Sequence, residues 1–304
     1  MPNLYEILSK AYAHTKNHKL LWFFGFFMLE AATFDYFYAF EYHSRGGFGG
    51  IASFLVSGKR FDIFLYSLAA ATVLMFLGVA SRIAIIQAIL TFERKEALKF
   101  HEFAKKAYAG FWRVCAVNIA ADAALILIFS WLSAPVIYLF SEGLDFRGAF
   151  LAVFAILIFV PIFVSISLVN FFASCFIVVY RIKFSDSIKS SFDLLGRFWD
   201  VCLIVLAILA SLYALLFIAS AGALGVLNNL AYISVILLQS ISALVSRDIS
   251  LILSVLLVAA SVFASSILNA FSNSTLALLF LKIVKDRPLT EKGENQAVEA
   301  KPAA

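Results

Sequence analysis

The sequence predicts an all-α polytopic membrane protein, with six transmembrane helices arranged as three repeated hairpins and interfacial amphipathic helices between them. The first observation behind this is composition. The chain is 63% hydrophobic and 14% charged, with a mean hydropathy of +0.95, whereas roughly a quarter of the residues in a soluble chain are charged. The second is run length. Apolar stretches continue for about 20 residues or more, enough to cross a bilayer as helix, and they lack the two-residue alternation of a porin-type barrel. The third is a repeat. Phe111-Trp112-Arg113-Val114-Cys115 returns as Phe198-Trp199-Asp200-Val201-Cys202, and Trp22 in Lys19-Leu20-Leu21-Trp22-Phe23 holds the same place 90 residues before Trp112. Each tryptophan stands where a charged segment gives way to an apolar one, a junction that suits an indole with one polar edge, so Trp22, Trp112 and Trp199 are read as interfacial anchors.

The elements follow in chain order. Leu4, Ile7, Leu8, Ala11 and Tyr12 recur at helical spacing with charges on the other faces, which predicts an amphipathic helix lying in the interface. Leu20 to Phe40 supplies the first span, closed by a belt of tyrosines and phenylalanines. Gly46-Gly47-Phe48-Gly49-Gly50 predicts a turn, and Ile63 to Phe92 is the second span. A second amphipathic segment covers 93–108 and the third span runs from Trp112 to about Pro135, where proline stops or kinks it. Ser141-Glu142-Gly143-Leu144-Asp145 is an outer turn. The fourth span, Ala149 to Tyr180, carries Pro161 inside and should kink there. A third amphipathic segment follows Arg181, with Phe184, Ile188, Phe192 and Leu195 as its apolar stripe and Ser185-Asp186 as its N-cap. The fifth span reaches about Leu224. Residues 226–246 fit a further span, a re-entrant segment or an outer-face helix. Ile249 to Leu281 is the last span.

A second register supports the repeat. Leu55-Val56-Ser57 before Asp62, Leu139-Phe140-Ser141 before Asp145 and Leu244-Val245-Ser246 before Asp248 each mark the entry to an even-numbered span. One membrane domain, 1–284, is therefore expected, with repeats at about 4–92, 93–181 and 182–284, followed by a polar, disordered cytoplasmic tail at 285–304. Counting Lys and Arg in the flanks gives eighteen on the side of the termini and five on the other. Both termini are accordingly expected in the cytoplasm, in a multi-pass protein of the cytoplasmic (inner) membrane. The first span is too long and too acidic, with Glu30 and Asp35, for a cleaved signal peptide.

Counted from the junctions, several spans send one polar side chain to a common depth. Glu30 lies 8 residues after Trp22, Arg82 lies 11 before Glu93, Asp122 lies 10 after Trp112 and Asn170 lies 11 before Arg181. At 1.5 Å per residue these sit about 12 to 17 Å deep, near the bilayer midplane. The third hairpin adds Ser211, Asn269 and Asn273. An unpaired charge at that depth costs at least about 2.5 kcal/mol, so these groups are expected to face inward and pair, Arg82 with Asp122 or Glu30. The layer reads either as an ion-pair and amide network that fixes helix register or as a site lining a transport path.

Other signals are weaker. Cys115, Cys175 and Cys202 lie in apolar runs without CxxC spacing and read as buried thiols. His14 and His18 have one-face spacing but no third ligand nearby, so neither a metal nor another cofactor is expected. No GxSxG, Walker A or HExxH pattern is present, which argues against an enzyme. The charge of +5 belongs to anionic headgroups at the basic segments and not to nucleic acid.

Three hairpins invite comparison with mitochondrial carriers, but Pro135 and Pro161 do not begin the P-x-[DE]-x-x-[KR] signature of that family. The amphipathic start, the run Lys-Leu-Leu-Trp-Phe-Phe-Gly-Phe-Phe at 19–27 and the Phe-Trp junctions resemble uncharacterised bacterial six-span membrane proteins, similar to the membrane domain fused to some glycerophosphodiester phosphodiesterases. The resemblance spans most of residues 4–285. It implies a lipid-associated or accessory role without the hydrolase activity, whose catalytic domain has no counterpart here. Two functions of different class are thus expected. One is a non-enzymatic structural or accessory protein that organises lipid or a membrane protein partner. The other is a small-solute or lipid transporter with a polar site at the midplane.

Overall fold

A computed structural model describes residues 3–28, 61–94, 100–237 and 243–286. Every regular element among them is an α-helix, as hydrocarbon demands of a backbone that must satisfy its own hydrogen bonds. There are eight: α1 (Leu4–Asn17), α2 (20–28), α3 (Phe61–Glu93), α4 (Phe100–Ser141), α5 (Asp145–Tyr180), α6 (Phe184–Arg197), α7 (Trp199–Leu237) and α8 (Ala243–Asp286). Five segments are long and apolar enough to cross a membrane: Thr72–Glu93, Gly110–Ser141, Asp145–Tyr180, Trp199–Gly222 and Val255–Lys285. They correspond to the expected second to sixth spans. Only 20–28 of the expected first span is described, and the glycine turn at 46–50 and the tail from 287 lie outside the described residues.

The helices form two compact units, one of 86–199 with the end of α8 from residue 276, the other of 3–85 with 200–275.

The first unit is built on the α4–α5 hairpin. Its turn closes as a Schellman motif: the Gly143 amide donates to the Phe140 carbonyl at 3.1 Å and the Leu144 amide to the Leu139 carbonyl at 3.0 Å. Gly143 has φ +70°, a conformation an L side chain resists. Beyond the turn, Gly148 faces the Phe140 ring so closely that a Cβ would lie 3.2 Å from its carbons. Further along, Phe129 meets Phe159 at 5.4 Å and Asn118 meets Asn170. These three pairs are equidistant from Leu144, and eleven residues separate successive contacts on each helix. Eleven residues are about three turns, so one face of α4 meets one face of α5 along the whole hairpin.

Away from the turn, α5 is enclosed. Residues 168–177 are all buried. Helix α6 packs on α5 and touches α4, while Phe280 of α8 lies edge-on against Phe176 at 4.8 Å and near Phe172 at 6.1 Å. Nearer the turn, Ile126, Leu127, Trp131, Phe146 and Leu157 are exposed, as lipid-facing side chains should be.

In the second unit residues 18 and 19 join α1 to α2, and the Trp22 indole N–H donates to the Thr15 carbonyl at 2.7 Å. The Trp22 ring stands edge-on to Phe263 of α8 at 5.6 Å. Helix α2 approaches α8 at Gly25. A Cβ there would overlap the Ser266 carbonyl oxygen and come within 3.0 Å of the Ala270 nitrogen. Ser266 and Ala270 make a small-xxx-small pair of the kind that lets helix backbones approach in lipid.

The helix bounds correct three expectations. Pro135 does not end its span, because α4 continues to Ser141; inside hydrocarbon one lost N–H is cheaper than an unwound backbone. Of residues 226–246, 226–237 prolongs α7 and 243–246 opens α8, while 238–242 lie outside the described residues. Helix α6 begins after Lys183, two residues before the expected cap, and Asp186 falls in its first turn. Its buried positions are Ser187, Ser191, Leu194 and Leu195, while Phe184 and Phe192 are exposed. The small serines let α6 sit close to its neighbours, and the bulky aromatics turn outward.

Gly25→Ala should lower Tm in detergent through a steric cost of about 1 to 3 kcal/mol, and Gly143→Ala through a left-handed backbone cost of about 1 to 2 kcal/mol. Gly196→Ala, with open space around it, should instead raise Tm through a gain of about 0.5 to 1 kcal/mol in helix propensity. Thermal unfolding of the three variants beside the parent checks this.

Candidate functional site

Among the described residues, two amide-centred networks join spans, one in each unit. In the first, the Asn170 Nδ2 donates to Asn118 Oδ1 at 3.1 Å, joining α5 to α4. Asn118 Nδ2 donates to the Val114 carbonyl of its own helix at 2.8 Å, and Ser174 Oγ donates to the Asn170 carbonyl at 2.8 Å. All three side chains are buried. Asn170 Oδ1 remains a buried acceptor with no partner.

In the second, Asn269 is the centre. Its Nδ2 donates to the Gly25 carbonyl at 3.1 Å, its Oδ1 accepts from Asn273 Nδ2 at 3.0 Å, and the Tyr213 hydroxyl lies 3.4 Å from the same oxygen. One side chain of α8 thereby ties α2 and α7. The Gly25 contact is open to it because the glycine brings that carbonyl close to α8.

No protein-family model, curated protein or solved structure matches the chain. Its reading therefore rests on its own residues.

Of the polar layer read from the sequence, Asn170 joins the first network and Asn269 and Asn273 form the core of the second. Arg82 is half-buried in the second unit, Asp122 is exposed on α4 in the first, and both make interactions. Glu30 lies outside the described residues. Ser211 is exposed and donates back to the Ala207 carbonyl of its own helix at 2.7 Å. Among the described residues no three His, Cys, Asp or Glu side chains come together as a metal would need. The three junction tryptophans differ. Trp22 uses its N–H within the chain, Trp199 is half-buried, and Trp112 is 64% exposed.

Asn118, Tyr213 and Gly25 are the participants that sequence reasoning missed. Asn118 lies one helical turn from Asp122, which junction counting set level with Asn170. The hairpin register sets Asn118 there instead, since it and Asn170 are equally far from the turn. The signal for Gly25 was present as the small residues Ser266 and Ala270, four apart on α8.

Asn118→Leu or Asn170→Leu alone should cost about 1 to 3 kcal/mol by leaving the other amide's bond unmade. The double variant should cost less than the two single variants summed. A double-mutant cycle read by unfolding in detergent should give a coupling of about 0.6 and not above about 1.7 kcal/mol.

Proposed function

We propose that this chain is a non-enzymatic accessory protein of the cytoplasmic membrane, organising lipid or a membrane partner through six spans in three hairpins with both termini inside. The observation that carries this reading is the use to which the span amides are put. Asn118, Asn170, Asn269 and Asn273 bond to one another and to the Gly25 carbonyl, as ties that hold helices in register. A transport path would instead present such groups to a solute. Helices α1 and α6 add surfaces suited to the interface: Tyr5 and Tyr12 on α1 and Phe184 and Phe192 on α6 are exposed beside lysines and arginines. The resemblance to six-span domains fused to lipid-degrading enzymes points the same way. Its basic segments suit anionic headgroups.

A transporter is the second reading, and one observation favours it. The unpartnered Asn170 Oδ1 is an acceptor that a water or a polar solute would satisfy.

Cysteine labelling separates the two. With Cys115, Cys175 and Cys202 replaced by Ala, a single cysteine at Asn170 in proteoliposomes should resist a membrane-impermeant thiol reagent from both sides. Labelling of folded protein from either side would reveal a hydrated path and shift the reading to transport.

A further inference from the structure

At the end of the first unit away from the hairpin turn, helices α3 and α5 finish and the α4 span begins. Arg94 follows α3, Arg113 stands on α4, and Arg181 caps α5. Arg113 Nη1 donates to the Arg181 carbonyl at 3.1 Å, which fixes one guanidinium against the backbone of a second arginine. Arg94 lies within electrostatic reach of the Tyr180 hydroxyl. The Tyr180 ring is bounded by Phe176 at 6.1 Å and Phe280 at 6.4 Å. All three arginines are exposed, and none is paired with a carboxylate among the described residues.

Charge arithmetic leaves this end positive. The C-termini of α3 and α5 offer roughly half a negative charge each and Glu93 one more, against three guanidinium charges. A structural cap would need only the one donor that Arg113 already gives. Beyond that bond its guanidinium makes no further hydrogen bond among the described residues and presents a planar fork, the geometry that matches a phosphate. Arg181 adds a second sign. It holds a left-handed backbone with φ 56°, where glycine is the usual residue and a side chain costs on the order of 1 kcal/mol. Strain of this kind, retained where glycine would relieve it, points to a use for the side chain. Trp112, exposed beside Arg113, sits where an indole meets the headgroup layer.

We propose that Arg94, Arg113 and Arg181, with the Tyr180 hydroxyl, form a site for the phosphate of an anionic lipid headgroup. The site rests on the lipid-organising reading above and gives it an address. Lipid is favoured over a free phosphate because the cluster closes the ends of apolar spans, at the level where the exposed Trp112 marks the headgroup layer.

The test is native mass spectrometry of the full chain in detergent, offered phosphatidylglycerol or phosphatidylcholine. The variants are Arg181→Gly, Arg113→Gln with Arg181→Gly, and Arg94→Gln. Arg181→Gly suits the left-handed position, so it removes the guanidinium while the lipid-free Tm holds or rises. The parent should retain phosphatidylglycerol over phosphatidylcholine. Retention should fall about 5-fold for each arginine removed, hence about 25-fold for the double variant. Equal retention by Arg181→Gly and the parent overturns the site, as does a parent indifferent to headgroup charge. Excess inorganic phosphate that raises the Tm of the lipid-free parent, with no phosphatidylglycerol retained, overturns the lipid assignment. Labelling at Asn170 bears on the accessory reading alone, so the two can fail separately.

Discussion

The turn at Gly143 sets the register on which the first unit depends. Two backbone hydrogen bonds and one left-handed glycine fix where α5 starts against the end of α4. From there the antiparallel geometry leaves no freedom. Phe140 falls on Gly148, Phe129 on Phe159 and Asn118 on Asn170. Slipping the pair by one residue would rotate each contact by about 100° and separate the two amides. At the far end Arg113 lies 31 residues before Leu144 and Arg181 lies 37 after it, so the long Arg113 side chain runs along the pair to reach the carbonyl that ends α5.

Within lipid, apolar side chains gain little by touching one another, so close approach and hydrogen bonds decide which helices associate. Both units use these means in different proportions. The second brings α2 onto α8 through Gly25, Ser266 and Ala270 and then ties the contact with Asn269. In the first, ten residues of α5 are enclosed on every side, with one amide pair at their edge and three aromatic contacts to Phe280 at their end. Helix α6 follows the same logic, lying on its serines with its phenylalanines outward. The accessory reading draws on this economy, because Asn118, Asn170 and Asn269 bond from helix to helix at depth.

Depth along a helix was legible in the sequence, and azimuth was not. Run length and hydropathy located the five spans, and the glycine in Ser141-Glu142-Gly143-Leu144-Asp145 marked the hairpin turn. Junction counting found Asn170, Asn269 and Asn273, but could not say which face each would present. The same blindness set Asp122 level with Asn170 where the turn sets Asn118, and Phe192 on the packed stripe of α6 where Ser191 lies. An apolar helix in an apolar solvent has no preferred inward side until its neighbours are known. Proline misled for a related reason. Pro135 is a stop signal in water, where a freed carbonyl finds solvent, and loses that force in hydrocarbon.

Helix α5 has 36 residues, an axial length of about 54 Å. The bilayer is about 40 to 45 Å thick with its headgroup regions included. For Asp145 and Arg181 to reach those regions on opposite sides, the hairpin must lean about 35 to 40° from the membrane normal, at the steep end of what spanning helices adopt. In a pair of helices held in one register at three successive contacts, inclination takes up hydrophobic mismatch. Lengthening the acyl chains would let the hairpin stand more upright, and bilayer thickness thereby becomes a mechanical input to whatever these helices hold.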